Sequence, residues 1–335
     1  MLIAREVTVV LDMNKTQPKA NQLRDPFGRA IEYIRLSVTD KCNLRCFYCL
    51  PKDHKDFEEP QHWLSFDEIE RIIGAFGRLG VSRVRLTGGE PLVRKNLPRL
   101  ARQLASLPGV EDLSLSTNAV NLARHAQALA GAGIKRVNVS LDSLQPDRFS
   151  QITGGGQLHK VIDGLMAARD AGLQPVKINV VAMQGINDDE YGDLVEFCIA
   201  HDFTLRFIET MPMGTPGEEA SKHYLSLDTV REQLKQQYEL IPGFMPGGGP
   251  AKYYQVNGTD LRIGFITPIS QHFCATCNRV RLSVDGTLYL CLGQEHSVPL
   301  RELLRDGISD RDLEQVLRDA ITRKPERHEF TEKPS

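Results

Sequence analysis

The residues of this 335-residue chain best equipped for chemistry are its cysteines: six of the seven fall in two tight groups, and Cys198 stands alone. The first group, Cys42, Cys46 and Cys49, is a Cys-x3-Cys-x2-Cys run; the second, Cys274, Cys277 and Cys291, is a Cys-x2-Cys-x13-Cys run. Thiols clustered in this way, rather than spread into a disulfide framework, point to metal. Each group offers three thiolates and no obvious fourth. Zinc can take three cysteines and a distant histidine, although structural zinc prefers closed Cys-x2-Cys pairs. An iron–sulfur cluster held by three protein ligands leaves one iron open for a further ligand. The spacing favours a cluster and keeps zinc as the alternative.

Other chemistry-bearing patterns are weaker. The nine histidines show no metal-binding spacing, since His328-Glu329 lacks the second histidine of a zincin motif. Gly154-Gly155-Gly156 is not followed by the Lys-Ser/Thr of a phosphate loop and reads as a plain loop. Cys198, beside Leu194 and Val195 on the apolar side of a helix, reads as a buried, inert thiol.

These groups must be positioned by the elements around them. Strands are expected at 31–38, 81–86, 113–116, 137–141, 176–181 and 205–208, with helices between them. One helix runs over 65–79, where Ser65 and Glu68 make a capping box and Ile69, Ile72, Ile73 and Phe76 form a stripe. Another is expected over 188–200. The spacing between strands leaves room for a crossover helix each time, as a parallel sheet requires. Inside four strands a cation sits between apolar neighbours: Arg35, Arg85, Lys177 and Arg206. Period-two alternation turns all four away from the covering helices. A flat sheet covered on both faces would bury those charges at high cost, whereas a barrel with a polar lumen accepts them. The fold class expected is therefore α/β, an incomplete parallel (β/α)6 barrel of domain 25–240. It follows an N-terminal extension, 1–24, and precedes a smaller α+β C-terminal region, 241–335, that caps it. Proline and glycine punctuate the chain beyond Thr210, and Asp285-Gly286 signals a hairpin turn.

Composition narrows the classes further. With 41 basic and 43 acidic residues the net charge is −2, which lacks the Lys/Arg excess of a nucleic-acid surface. No run approaches the roughly 20 apolar residues of a membrane span, and the first segment is broken by Arg5, Glu6 and Asp12, so a cytoplasmic protein without nucleic-acid or membrane partners is expected.

The first cysteine run, with Tyr48 inside it, resembles the defining motif of radical S-adenosylmethionine (SAM) enzymes, and Gly88-Gly89-Glu90-Pro91 resembles the run that meets the SAM amino group in that family. Adding the second triad and Asn278-Arg279-Val280-Arg281 narrows the likeness to the GTP 3',8-cyclase family of molybdenum cofactor biosynthesis. Its matching stretches include IRLSVTDKCNLRCFYC, VRLTGGEPLVRKNL, NVSLDSL, LRFIETMP and FCATCNRVRLS. The resemblance implies two 4Fe-4S clusters, one on Cys42, Cys46 and Cys49 and one on Cys274, Cys277 and Cys291. It implies SAM contacts at Tyr48, Gly89, Ser140 and Met211, and GTP contacts at Arg35, Arg85, Ser116, Lys177, Arg279 and Arg281, with Arg206 in the same set by pattern. The implied reaction begins when a reduced cluster cleaves SAM to a 5'-deoxyadenosyl radical. The radical takes the C3' hydrogen of GTP, and C3' then closes on C8 of guanine. A reductant such as flavodoxin, a downstream cyclic pyranopterin monophosphate synthase and a homodimer are implied by likeness alone. Family members commonly end in Gly-Gly, whereas this chain ends HEFTEKPS, which puts the tail's contribution in doubt.

Duller readings compete with each assignment. The strand cations could form structural ion pairs with Glu90, Asp142 or Glu209; Tyr48 and Met211 could be packing residues; Ser140 could satisfy local backbone. A radical SAM enzyme acting on a peptide and a structural zinc protein are the rival functions.

Overall fold

Alternation within the strands decides the architecture. In the computed structural model, which describes residues 21–330 except 52, 53, 56, 58 and 293–295, six strands follow one another. They are β1 (Tyr33–Ser37), β2 (Arg83–Thr87), β3 (Asp112–Thr117), β4 (Arg136–Ser140), β5 (Lys177–Val181) and β6 (Thr204–Ile208). All pair in parallel and in sequence order. Ile34, Leu36, Val84, Leu86, Val137, Val139, Ile178 and Val180 are completely buried on the outer face. Helices Phe66–Arg78, Leu97–Ala105, Leu122–Gly131, Leu158–Asp170 and Tyr191–His201 share one apolar core with them. Ser65 caps the first of these helices through the expected reciprocal box with Glu68. The helix expected from 188 begins later, at Tyr191, because Asp188 caps a turn through Gly185 N–H and Glu190 bonds Ser143 and the Leu144 N–H.

The C-terminal region does not sit on the sheet as a cap; it extends the sheet at both edges. Its strands are β7 (Leu240–Gly243), β8 (Lys252–Val256), β9 (Arg262–Ile266), β10 (Arg279–Leu282), β11 (Thr287–Tyr289) and β12 (Ser297–Pro299). β9 pairs in parallel with β6, and β10 in parallel with β1. Two antiparallel strands then finish each side, giving the order β12-β11-β10-β1-β2-β3-β4-β5-β6-β9-β8-β7. The hairpin at Asp285-Gly286 is present, with Gly286 at φ +86°. The sheet is strongly curved. Flat, β2 and β6 would lie four strand spacings apart, about 19 Å, yet Arg85 of β2 feels the charge of Arg206 of β6. The inner face therefore encloses a lumen, which the two last strands leave unclosed. Residues 1–20 and the divergent end, 331–335, lie outside the described residues.

Candidate active site

Cys42, Cys46 and Cys49 occupy the loop leaving the C-terminal end of β1, where parallel barrels place their chemistry. The three thiols sense one another's charge. Burial pushes all three upward, and Asp142 adds to the effect on Cys46. A bare thiolate is thus disfavoured here, and a metal that accepts the three sulfurs removes the penalty. Leu44 N–H and Asn118 Nδ2 lie 3.4 and 3.9 Å from Cys42 Sγ.

The Gly88-Gly89 pair packs closely against the cysteine loop. A Cβ on Gly88 would lie 2.1 Å from the Thr39 carbonyl oxygen, and one on Gly89 would lie 2.4 Å from those of Asp40 and Lys41. The close approach these glycines permit is to the backbone of the cysteine loop. Gly89 N–H and Glu90 N–H donate to Thr39 and Lys41 carbonyls, both at 2.8 Å, and fasten that loop to β2. The Glu90 carboxylate, fully enclosed, accepts from Leu92 N–H, Thr117 Oγ1 and Asn118 N–H. Burial raises it to about 7.

Gly89→Ala is therefore expected to displace the cysteine loop and reduce metal bound by Cys42, Cys46 and Cys49 by more than half, read as metal content of the purified chain. Gly131→Ala, with nothing within 4 Å of the added methyl, is the control that leaves metal content unchanged.

Tyr48 is no simple packing residue. Its hydroxyl donates to Asp142 Oδ2 at 2.7 Å, while Asp142 Oδ1 accepts from Val181 N–H. Burial lifts Asp142 to about 6 and Tyr48 well above its ordinary value. Ser140 closes β4 beside Asn179 of β5, and Met211 follows β6, so both stand at the same end of the barrel as the first cysteines. Asn179 Oδ1 and Thr210 Oγ1 nearby are buried and unpartnered, the condition of polar groups that a bound ligand completes.

The second triad lies toward the opposite end. Cys277 precedes β10, and Cys291 follows β11, which runs antiparallel to it. Cys274 senses the charge of both Cys277 and Cys291. Burial pushes Cys277 up, but Lys324 and the Arg279 side chain and N–H outweigh it and hold the thiol below its ordinary value. Lys324 is buried against the Leu290 carbonyl, and Arg29 donates to Cys274 O, Pro325 O and Glu326 O. Sequence reasoning missed both cations, because nothing in their spacing links residues 29 and 324 to the cysteines. It also missed a histidine cluster: His272 and His328 sit beside Cys274. No local spacing among the histidines signals this meeting, since folding brings together positions 56 residues apart.

Between the two triads lies a row of cations. Register places Arg281, Arg35 and Arg85 side by side on β10, β1 and β2, followed by Ser114 on β3. Ser116 occupies the inner face one step further along β3, level with Asn138, which in turn is level with Lys177. Burial lowers Arg85 to about 10, with Arg35, Arg206 and Arg136 contributing, and lowers Arg281 to about 9, helped by Arg35 and Arg279. Burial and then Arg206, Arg136 and Arg85 bring Lys177 down to about 7. Arg206 is buried, hydrogen-bonded to Asn138 Oδ1, and has its Nε unpartnered. The proposed structural partners are engaged elsewhere: Glu209, for example, accepts from Ile269 N–H, Ser270 and Tyr224. Among the described residues, no salt bridge involves Arg35, Arg85, Lys177, Arg206, Arg279 or Arg281. A cavity of about 390 Å³ joins Arg35, Arg281, Ser37, Thr87 and Cys291. Mutually repelling cations around a cavity form a site for a polyanion.

Residues 36–198 match the radical SAM superfamily model, and residues 203–330 match the model described as Molybdenum Cofactor Synthesis C. The GTP 3',8-cyclase of Hydrogenovibrio crunogenus is 48% identical over 92% of this chain and 95% of its own length. Those of Rhizobium etli and Pseudomonas aeruginosa, the latter GTP 3',8-cyclase 1, are 45% and 47% identical over 93% and 92% of this chain, and 89% and 94% of their own lengths. Among solved structures, Streptococcus suis SuiB has the same fold, with a TM-score of 0.59 at 15% identity over 89% of this chain and 68% of its own. By this identity over nearly its whole length, the chain belongs to the GTP 3',8-cyclase family of the radical SAM superfamily.

Proposed function

We propose that this chain converts GTP to (8S)-3',8-cyclo-7,8-dihydroguanosine 5'-triphosphate, with Cys42, Cys46 and Cys49 holding the SAM-binding 4Fe-4S cluster and Cys274, Cys277 and Cys291 the second. As a GTP 3',8-cyclase it is a lyase of molybdenum cofactor biosynthesis that uses SAM and iron–sulfur clusters. The observation that carries the site assignment is the unneutralised row Arg281–Arg35–Arg85 between two thiol triads. A triphosphate has the charge to neutralise it, and arginine suits bidentate phosphate contact. A peptide offers no comparable charge, and a structural zinc protein has no use for the row.

When bound, the first cluster and SAM supply the carbon radical that takes the C3' hydrogen. The chain's own task is placement. Tyr48, fixed by Asp142, Gly89 beside the cysteine loop, and Ser140 and Met211 at the ends of β4 and β6 hold SAM over the lumen. Arg35, Arg85, Lys177, Arg279, Arg281 and Ser116, with Arg206, hold GTP below it. The curved wall excludes water from the reacting carbons. Functionally, 25–240 forms the SAM side and 241–335 supplies the second cluster and two of the nucleotide arginines; 1–24 precedes them. A flavodoxin-type reductant, a cyclic pyranopterin monophosphate synthase as consumer of the product, a homodimer and a cytoplasmic location complete the reading by family likeness. No helix of the described residues is long and apolar enough to cross a membrane.

Anaerobic reconstitution tests the reading. It is expected to give about eight irons per chain, followed by GTP consumption with SAM and a reductant. Stoichiometric zinc without iron, or SAM cleavage with GTP untouched, overturns it.

Lys177 adds a pH signature. Buried and surrounded by Arg206, Arg136 and Arg85, with Asp112 opposing them and the Tyr253 ring 5.7 Å away, it loses its proton near pH 7 in the free chain. Binding a polyanion restores that proton. GTP affinity is therefore expected to fall as pH rises above about 7, by up to tenfold per unit, with proton uptake measurable by calorimetry in buffers of differing ionisation enthalpy. Lys177→Met removes that uptake.

A further inference from the structure

His272, Cys274 and His328 present three ligand atoms within 4.8 Å of one another, sharing the Cys274 sulfur with the second triad. His272 Nδ1 lies 3.2 Å from His328 Nε2. Two nitrogens bound to tetrahedral zinc at about 2.0–2.1 Å stand about 3.3 Å apart, so this pair already has the separation of two ligands on one ion. The His328 ring packs against Phe330, 4.5 Å from centroid to centroid, and its backbone N–H donates to the Cys274 thiol; Nε2 also lies 3.0 Å from the Pro268 carbonyl, a bond that an ion on Nε2 replaces as the ring proton moves to Nδ1. Its Nδ1 is buried with no partner. His272 is exposed and gives an ion a route in.

We propose that, before a cluster is assembled on the second triad, His272, Cys274 and His328 form a binding site for one divalent transition ion of the zinc class. Cys274 loses its thiol proton to become the single sulfur ligand, the two imidazoles bind as neutral donors, and water completes the tetrahedron. Because Cys274 belongs to both sets, zinc in this site blocks cluster assembly at Cys274, Cys277 and Cys291. That consequence rests on the cluster reading above, whereas the ion site does not.

The test uses the full chain, free of clusters and with Cys42, Cys46 and Cys49 replaced by serine to silence the first triad, titrated anaerobically with cobalt(II). One equivalent is expected to give tetrahedral visible bands with sulfur-to-cobalt charge transfer of one-thiolate intensity. His272→Ala and His328→Ala are each expected to weaken binding by more than about tenfold, and Cys277→Ser is expected to leave it unchanged. His272 is exposed, so its replacement keeps the test valid even if His328→Ala destabilises the chain. Three-thiolate intensity, or unchanged affinity in His272→Ala, overturns the site. In the unsubstituted chain, zinc loading before reconstitution is expected to cut iron from about eight to about four. If cobalt binds as described but iron uptake is zero at both triads, the cluster reading fails and the ion site stands.

Discussion

Cys42→Ser is expected to reduce 5'-deoxyadenosine formation to background while leaving GTP binding within about twofold of the parent chain. The first triad is built into one loop. Burial disfavours a free thiolate at each position, so a two-cysteine remnant does not keep a cluster by electrostatics alone. The lumen cations stand on strands that do not need this loop for their register. Cys291→Ala is the complementary case, with SAM cleavage retained and cyclised product suppressed, because Cys291 lines the cavity with Arg35 and Arg281. Product analysis by mass spectrometry distinguishes the two. Normal deoxyadenosine formation in Cys42→Ser, or normal cyclisation in Cys291→Ala, removes the corresponding triad from its role.

The barrel was legible because its signal is local: apolar residues on one face and Arg35, Arg85, Lys177 and Arg206 on the other follow from period two within single strands. The cysteine groups were legible for the same reason. What could not be read was the return of the chain from Leu240 onward. β9 and β10 lie 58 and 246 residues from the strands they pair with, Thr204–Ile208 and Tyr33–Ser37, counted from first residue to first residue (262 − 204 and 279 − 33). Neither strand's pattern encodes its neighbour, so extension at both edges looked like a separate cap. The same limit hid the meeting of His272 with His328 and of Arg29 with Cys274. The role of Gly89 was half readable. Its type announces a close approach, and the fold adds that the loop of Asp40 and Lys41 is one group that comes close. Asp142 lay within the matched stretch NVSLDSL, and its bond to Tyr48 turns a sequence likeness into a reason for the position of the ring.

The row of arginines makes a prediction in which stability and binding move in opposite directions. Arg281 is disfavoured as a cation in the free chain, first by burial and then by Arg35 and Arg279, which lower it from its ordinary value to about 9. A folded-state pKa below the unfolded one means that the charged form costs folding free energy at neutral pH. Arg281→Gln, which keeps a polar side chain of similar reach without the charge, is therefore expected to leave the melting temperature of the ligand-free chain equal or higher. A charge-assisted hydrogen bond to phosphate contributes about 1.5–3 kcal/mol, so the same change is expected to weaken GTP binding by about tenfold to a hundredfold. SAM binding, proposed above to lie at the far end of the strands, is expected to change by less than about threefold, a margin of under about 1 kcal/mol. A side chain with a structural role does the reverse, since its loss lowers the melting temperature and weakens both ligands together. Thermal denaturation without ligand, paired with equilibrium binding of GTP and of SAM to the same preparation, separates these outcomes. A lower melting temperature with parallel loss of both affinities sinks the assignment of Arg281 to the nucleotide.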